Sequence, residues 1–416
     1  MKRSTKQLLT LLTLIVCLLA SWTLWRVQCG VKASAKSVAL ACPSGNVFYV
    51  DANVVGGLGD GTSWTDAYRS LATALAQVPN CSNVTEIWVA RGTYKPTTGT
   101  ARGAAFRLRN NLAIYGGFSS GQTELSQRNP DPATNGTVLS GNINLLNTAD
   151  DNSYHVVISS GTDNTAKLDG FTISDGNANH SNSPDHDGGG IYNEGGNPTI
   201  ANVILSSNSA KNGGGMYNKT GSSPSLTNVT FSNNSAFSIG GGLSNLNSTP
   251  TLTNVSFSNN SASVSGGGMY NSTSNPQLTN VRFSGNSTAA NGGGIRNNNS
   301  DPILTNVTFS GNSASDQGGG IYNGEGSTPT LTNVSFSGNS APSGQGGGIY
   351  NSTSNPRIRN SILWGDIGGE IVNATSTPTV TYSIVQGGYT STGNRDLDPL
   401  FVTPVPAPAP TTKSPR

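Results

Sequence analysis

Apolar and polar positions recur with a period of about 26 residues in the segment 188–363. Each copy holds a Gly-Gly-Gly triplet, an apolar residue usually followed by Tyr, a variable loop, and a stretch close to Leu-Thr-Asn-Val-x-Phe-Ser-x-Asn-Ser-Ala. A period in this range predicts a solenoid, in which each repeat buries its apolar side chains by stacking on its neighbours. The seven glycine triplets begin at Gly188, Gly213, Gly240, Gly266, Gly292, Gly318 and Gly346.

The spacing of the apolar residues within one copy predicts which kind of solenoid forms. Leu252 and Phe257 are five residues apart, so they cannot lie on one face of a flat strand. A bend at Asn254 allows both side chains to point inward, because asparagine tolerates the left-handed conformation. Leu243 lies on a third short strand. The segment shows no apolar period of 3.6 and is rich in weak helix formers. We therefore predict an all-β fold, a parallel β-helix with three short strands in each coil.

The same phase predicts one continuous stack of large side chains inside the β-helix. Phe257 and its equivalents in the other copies should lie in register along one inner edge. The predicted stack contains Leu205, Phe231, Phe257, Phe283, Phe309, Phe336 and Leu363.

The repeat resembles a known bacterial repeat. Gly-Gly-Ile-Tyr at 319–322 and Phe-Ser-Gly-Asn-Ser-Ala at 336–341 are similar to the two alternating elements of polymorphic outer membrane protein repeats. The chain thus resembles bacterial right-handed parallel β-helix proteins of the pectin-lyase-like superfamily. This resemblance implies the right-handed sense of the helix and a position at the cell surface or outside the cell.

The N-terminus has the pattern of a secretory signal peptide over residues 1–35. A basic start (Met1–Lys6) precedes an apolar stretch (Leu8–Trp25), and Ala-x-Ala at 33–35 is suitable for cleavage. An uncleaved anchor helix is the alternative, and it is the one membrane contact that we expect. The whole chain has a net charge of +2, and residues 1–35 contain five basic residues and no acid, so the mature chain has 2 − 5 = −3. This balance gives no indication of a nucleic-acid partner.

The segment after the signal peptide predicts a cap for the β-helix. Cys42 and Cys81 are the two cysteines left in the exported chain, and we expect a disulfide rather than a metal site or a nucleophile. Ser63-x-x-Asp66 predicts the start of an amphipathic helix that carries Leu71, Leu75 and Val78 on one side. A strand, such a helix and a second strand resemble the N-terminal part of pectin-lyase-like β-helices, where the helix covers the end of the stack.

We predict one domain over residues 36–402. It comprises the cap and first coils (36–104), irregular coils (105–187), seven regular repeats (188–363) and a closing coil (364–402). The closing coil ends in Asp-Pro-Leu-Phe at 398–401, and in this it resembles the end of bacterial β-helix surface proteins of the choice-of-anchor type. Residues 403–416 are rich in proline, which predicts a disordered, extended tail.

Candidate catalytic chemistry is sparse in the repeats. Charged residues make up 11% of the chain, and the segment 188–363 holds four acids at unrelated offsets and no histidine. The signatures of pectate lyases and polygalacturonases are absent, so we expect no catalytic residue, no metal ion and no cofactor. One cluster lies just before the repeats, and we favour a solvated loop over a metal site or an acid/base pair there. Its residues are His180, Asp185, His186 and Asp187, with Asp175 nearby.

A column of aromatic residues is the candidate binding feature. In each copy, the residue that follows the inward apolar residue after the Gly-Gly-Gly triplet should point outward. This residue is a tyrosine in five copies, and Ser244 and Arg296 interrupt the column of tyrosines. Such a column can bind sugar rings or a partner protein, or it can stabilise the solenoid, which is the interpretation we favour. The candidate binding residues are Tyr192, Tyr217, Tyr270, Tyr322 and Tyr350.

These observations predict an exported, non-enzymatic β-helix that presents a repetitive face for adhesion or glycan binding. Its expected partner is an extracellular polysaccharide or a protein on a host or neighbouring surface. Two alternatives remain open. One is a polysaccharide lyase or hydrolase with its site near His155 or His186 on the irregular coils, and the other is a passive wall spacer.

Overall fold

The computed structural model describes residues 42–143 and 149–401. The predicted signal peptide and the proline-rich tail lie outside these residues. The described chain forms a parallel β-helix of about 11 turns in which equivalent positions recur about every 26 residues. This architecture confirms the predicted fold class.

Three parallel sheets, A, B and C, run along the β-helix, and the chain passes through them in the order B, A, C in each regular coil. The last two regular coils reach sheet C only through isolated bridges at Ser340 and Ile367. The strands of sheet A are Val47–Val50, Glu86–Ala90, Gly92–Tyr94, Ala113–Phe118, Thr137–Ser140, Lys167–Ser174, Thr199–Ser206, Ser225–Ser232, Thr251–Thr253, Ser256–Ser258, Gln277–Ser284, Ile303–Ser310, Thr330–Ser337, Arg357–Arg359, Ile362–Leu363, Thr379–Thr381 and Ile384–Val385. The strands of sheet B are Phe106–Arg107, Val157–Ser160, Ile191–Glu194, Met216–Lys219, Leu243–Leu246, Met269–Ser272, Ile295–Asn298, Ile321–Gly324, Ile349–Ser352 and Ile371–Ala374. The strands of sheet C are Asn177–Ala178, Ser209–Asn212, Ser235–Ile239, Ser261–Ala262, Ser287–Thr288 and Ser313–Ala314.

The predicted asparagine bend lies inside sheet A. Asn254 has a φ of 55°, and its equivalents in the neighbouring copies have the same left-handed backbone. The Leu and Phe segments on either side of the bend belong to one sheet, because a single left-handed residue restores the pairing register after it. The third sheet is formed instead by the short Ser-Ala segment, which the apolar pattern does not mark.

The core contains the predicted stack of aromatic side chains. Phe231, Phe257, Phe283, Phe309 and Phe336 are fully buried. Neighbouring rings are nearly parallel, with centroids 4.7–4.9 Å apart. Leu205 and Leu363 pair in register with the first and last of these phenylalanines, as predicted.

The glycine triplets allow neighbouring coils to approach closely where sheet C leads into sheet B. Gly266 has a φ of 68°, which disfavours any side chain. A Cβ atom on Gly267 would lie 2.4 Å from the carbonyl oxygen of Ser287 in the next coil, and one on Gly268 would lie 2.6 Å from that of Gly294. The first glycine of the triplet is therefore required by its left-handed backbone, and the second and third by the close approach of the next coil.

Two buried ladders of asparagine side chains run parallel to the core. In the sheet B ladder, each Nδ2 donates to the Oδ1 of the asparagine in the next coil at 2.8–2.9 Å. The corner ladder, between sheets A and C, repeats this bond at 2.8–3.1 Å. The sheet B ladder comprises Asn193, Asn218, Asn245, Asn271, Asn297, Asn323 and Asn351. The corner ladder comprises Asn208, Asn234, Asn260, Asn286, Asn312 and Asn339.

The N-terminal cap is a short helix, Leu71–Gln77, followed by the 3₁₀ turn Val78–Asn80. Leu71 and Leu75 are buried at the end of the core, and Cys42 and Cys81 form a disulfide beside it. The remaining helical segments are Leu125–Gln127, Pro132–Asn135 and Ala149–Asp151.

The predicted start of this helix was wrong. Ser63 and Asp66 bond to each other in a local turn. Tyr68 then forms a bridge to Val50, which keeps the chain extended until Ser70. The Ser70 hydroxyl caps the helix by accepting from the N–H of Thr73.

In the described part of the chain, no helix has the length and apolar character that a membrane span requires.

Candidate functional site

The tyrosine column lies on the outer side of sheet B. Strand pairing places its seven positions in register from one coil to the next. Inward neighbours such as Ile191 and Met216 belong to the main core, whereas Tyr192 and Tyr217 belong to a separate cluster outside it. The sequence alternation therefore places these side chains on the expected side of the strand.

The column is divided into two parts by solvent exposure. Tyr192 and Tyr217 are only 3% and 6% exposed. Tyr270, Tyr322 and Tyr350 are half-buried and retain an open surface. The rings of Tyr322 and Tyr350 stack with centroids 5.7 Å apart. Only this second part, which we call the open tyrosine face (Tyr270, Tyr322 and Tyr350), presents aromatic surface to a large ligand.

Arg296 extends the open tyrosine face. Its guanidinium lies 5.0 Å from the ring centre of Tyr322, and its Nη1 donates to the hydroxyl of Ser265 at 2.8 Å. The interruption of the column by arginine thus adds one fixed positive group beside an aromatic ring. Such a pair can contact sugar hydroxyls or a carboxylate of a partner.

The buried part of the column carries polar and charged neighbours. His155 stacks on Tyr192 with ring centres 5.0 Å apart. The Tyr192 hydroxyl donates to Glu194 at 2.8 Å, and Lys219 lies 3.3 Å from the same carboxylate. Burial raises the pKa of Tyr192 and of Tyr217, while the bond from Tyr192 lowers the pKa of Glu194. These tyrosines remain protonated and serve the packing of this region.

The cluster at 175–187 separates into pairs. Asp185 lies 3.6 Å from Nε2 of His155, a partner that sequence spacing does not reveal. His186 pairs with Asp187 at 3.4 Å. Burial lowers the pKa of His155 and raises that of Asp187.

Two members of the predicted cluster lie apart from these pairs. His180 packs against Tyr154 at 5.5 Å, and Asp175 accepts hydrogen bonds from Ser140 and Ser174. Within residues 42–143 and 149–401, no group of three or more His, Cys, Asp or Glu side chains is arranged around a common metal position.

A cleft of about 520 Å³ lies beside the N-terminal cap. It is lined by Tyr49 and Trp88 and by the carboxylates of Glu86 and Glu124. Glu86 accepts the indole N–H of Trp88 at 2.6 Å, and Glu124 caps the turn Leu125–Gln127. Both carboxylates are thus already used to stabilise the local fold.

The outer face of sheet A is a second repetitive surface. It carries an outer ladder of exposed asparagines, in which each Nδ2 donates to the Oδ1 of the previous coil at 3.0–3.2 Å. Beside it runs a register column of threonines at Thr227, Thr253, Thr279, Thr305 and Thr332. The outer ladder comprises Asn202, Asn228, Asn254, Asn280, Asn306 and Asn333. From the sequence we interpreted these asparagines only as bends. The recurrence of Asn at the same position of each repeat was the signal that could have predicted the ladder.

Comparison with known proteins bears on the repeats. The Chlamydia polymorphic membrane protein repeat matches residues 306–324 and 333–352. No curated protein and no solved structure gives a significant match. The matched repeats point to a surface-exposed or outer-membrane protein, outside the cytoplasm. Together with the stacked coils, they show that the chain is a parallel β-helix repeat protein with repeats of the polymorphic membrane protein type.

Proposed function

We propose that this protein is displayed outside the cell and adheres, through the side of its β-helix, to a polysaccharide or to a protein on a neighbouring surface. The observation that carries the proposal is the presence of long lateral faces on which similar groups recur along the β-helix. The open tyrosine face and the outer asparagine and threonine columns are the two such faces described above. The proposal assigns the protein no catalytic activity.

The physical basis of the binding is repetition. A half-buried tyrosine offers a flat apolar surface with a polar tip, which suits the face of a sugar ring or an aromatic partner. One such contact is weak, but several contacts spaced along one face engage an extended partner together, so the overall affinity grows by avidity. The rigid ladders hold the contact groups at fixed spacing, so little conformational entropy is lost when the partner binds.

Retention on immobilised polysaccharides tests this proposal. The purified protein is passed over neutral and acidic polysaccharides while chain cleavage is followed in the same samples. We expect retention without cleavage. The double substitution Tyr270→Ala with Tyr322→Ala removes two aromatic contacts worth about 1 kcal/mol each, so affinity should fall roughly thirtyfold. Tyr382→Ala is the matched control, because Tyr382 is an exposed tyrosine outside the column.

Two results would contradict parts of the proposal. Retention that survives loss of Tyr270 and Tyr322 would assign these residues a structural role and direct attention to the outer face of sheet A. Cleavage that disappears in His186→Ala would instead favour the enzymatic alternative.

A further inference from the structure

A cleft of about 390 Å³ lies beside the first strands of sheet C, at the junction between the irregular coils and the regular repeats. It spans successive coils, because the register of sheet C places Asn177 beside Ser209 and Ser209 beside Ser235. The cleft shares no residue with the open tyrosine face or the outer ladder. We call it the junction cleft, and its lining includes Asp150, Asn152, Asp175, Asn177 and Phe237.

The junction cleft contains a buried amide whose oxygen is not hydrogen-bonded. Asn152 is only 8% exposed, and its Oδ1 has no partner within the described residues. The next residue, Ser153, is fully buried, and its Oγ is likewise without a partner there. Unpaired buried polar atoms are rare in folded proteins because they have lost their bonds to water, and a bound molecule can restore such bonds. Asn152 therefore marks a position that a ligand can complete.

Carboxylates supply further hydrogen-bond acceptors in the same cleft. Asp175 uses Oδ2 to accept from Ser140 and Ser174 at 2.8 and 2.7 Å, while its Oδ1 accepts no bond within the described residues. Asp150 also lines the cleft, and its side chain is exposed. A carboxylate accepts hydrogen bonds and donates none. A ligand of the junction cleft must therefore donate several hydrogen bonds.

One guanidinium reduces the negative charge of the cleft and fixes its wall. Arg102 donates from Nε to the carbonyl oxygen of Asn152 at 2.7 Å and from Nη2 to that of Asn177 at 2.9 Å. Its positive charge offsets part of the charge of Asp150 and Asp175, so hydroxyl groups are better suited to this site than ammonium groups. The wall is also held in place before a ligand binds, so little conformational entropy is lost on binding.

An exposed aromatic ring completes the junction cleft. Phe237 lies on the strand Ser235–Ile239 and is 62% exposed. Its ring offers a flat apolar surface on which the C–H face of a sugar ring can stack. A neutral saccharide unit carries both such an apolar face and several hydroxyl donors, so it matches the two kinds of group that the cleft presents.

We propose that the junction cleft binds a neutral saccharide unit, with the sugar ring on Phe237 and hydroxyl groups donating to Asn152 and Asp175. The choice of a saccharide rests on the polysaccharide partner of the proposed function, whereas the site uses different residues. In this arrangement the lateral faces hold a long chain by repeated weak contacts, and the junction cleft recognises one short segment of it.

Calorimetry with short oligosaccharides tests the proposal in the purified full chain. The probes are neutral trisaccharides of glucose, mannose, galactose and N-acetylglucosamine, with charged trisaccharides of glucosamine and galacturonic acid for comparison. We expect one-to-one binding of at least one neutral trisaccharide. Phe237→Ala should weaken it roughly fivefold through loss of one aromatic contact. Phe401→Ala is the matched control, because Phe401 is an exposed phenylalanine outside the cleft.

The substitution Asn152→Ala separates ligand binding from a structural role. Because Oδ1 of Asn152 has no partner in the described part of the chain, its removal should leave the melting temperature unchanged or raised. Trisaccharide binding should fall roughly fivefold in the same variant. A structural amide would show the opposite behaviour, with a lowered melting temperature and unchanged binding.

Three outcomes would overturn the proposal. These are the absence of binding by every neutral trisaccharide, tighter binding of a charged trisaccharide than of any neutral one, and full affinity in either Phe237→Ala or Asn152→Ala. Each of them leaves the adhesion proposal standing if the protein is still retained on polysaccharide. The double substitution of Tyr270 and Tyr322 tests that proposal separately.

Discussion

The irregular coils before Gly188 and the regular repeats after it bury their polar groups in different ways. In the irregular coils, Asp169 is buried between Arg128 and Lys167 at 2.8 and 3.1 Å, and specific partners from distant segments neutralise it. In the repeats, each buried asparagine bonds to the same residue of the next coil. Repetition thus replaces individually matched charges by a single self-complementary side chain.

This difference shows what a ladder needs at its ends. An amide donates and accepts in one direction, so a run of amides leaves one unsatisfied group at each end. The outer ladder starts at Asp169, which accepts from Asn202 at 2.8 Å. The corner ladder finishes at Asp366, which accepts from Asn339 at 2.9 Å. In both ladders the side chain of an aspartate occupies the acceptor end.

The largest effect is expected from a charge placed inside the core of the regular repeats. Phe283→Asp places an unpaired charge between two stacked rings, so it should destabilise the repeats by more than about 4 kcal/mol. Thermal unfolding measures this loss. Thr279→Asp in the same coil is the control, because Thr279 is exposed, and it should change stability little. An unchanged melting temperature in Phe283→Asp would show that the side chain of Phe283 does not point into the core.

The irregular region should respond most to loss of its disulfide. Cys42 and Cys81 enclose a separation of 39 residues, and opening this loop should cost about 3–4 kcal/mol in the chain-entropy model. The double substitution to serine should therefore make the N-terminal cap sensitive to proteolysis while the repeats stay resistant. Labelling of free thiols in the unfolded, unreduced protein gives the complementary measurement, and reaction of both cysteines would contradict the disulfide.

A smaller loss of stability is expected when a ladder asparagine is replaced, and it should be larger in a buried ladder than in the exposed one. Asn286 bonds to Asn260, Asn312 and the carbonyl of Phe257, so Asn286→Ala leaves several buried groups unpaired and should cost about 2–3 kcal/mol. Asn280→Gly removes an exposed ladder member but keeps the left-handed backbone, and it should cost less than about 1 kcal/mol. Equal losses in chemical denaturation would refute this distinction.

The smallest expected effect concerns the end of the corner ladder. Burial and the neighbouring carboxyl of Glu370 raise the pKa of Asp366 to about 8. Between the ordinary pKa of 3.8 and about 8, folded Asp366 keeps a proton that the unfolded chain has lost, so stability falls as pH rises through this window. Asp366→Asn should reduce this decline and raise the stability at pH 8 above that of the unsubstituted protein.

Melting curves at pH 5 and pH 8 measure this dependence. Asp316→Asn is the control, because Asp316 is exposed in a repeat loop and should leave the slope unchanged. A pH slope that is identical in Asp366→Asn and in the unsubstituted protein would contradict the role of Asp366.

The sequence predicted most of the repeats and little of the site. Because each coil packs against a coil of nearly the same sequence, the inward orientation of Leu252 and Phe257 determines the orientation of every equivalent residue in the stack. The pairing of His155 with Asp185 could not be predicted, since it joins a residue just before the strand Val157–Ser160 to the distant loop 179–187. The burial of Tyr192 likewise depends on neighbours such as His155 and Lys219, which alternation along its own strand does not reveal.

The central claim is that the regular repeats form one rigid scaffold, whereas the irregular coils and their loops are held by individually matched contacts. Hydrogen exchange measured peptide by peptide tests it most directly. Backbone amides of sheets A and B between residues 191 and 352 should exchange slowly and with similar protection in every coil. Amides of the loop 179–187 should exchange much faster. Fast exchange in the middle repeats, or protection that varies widely from coil to coil, would contradict the account.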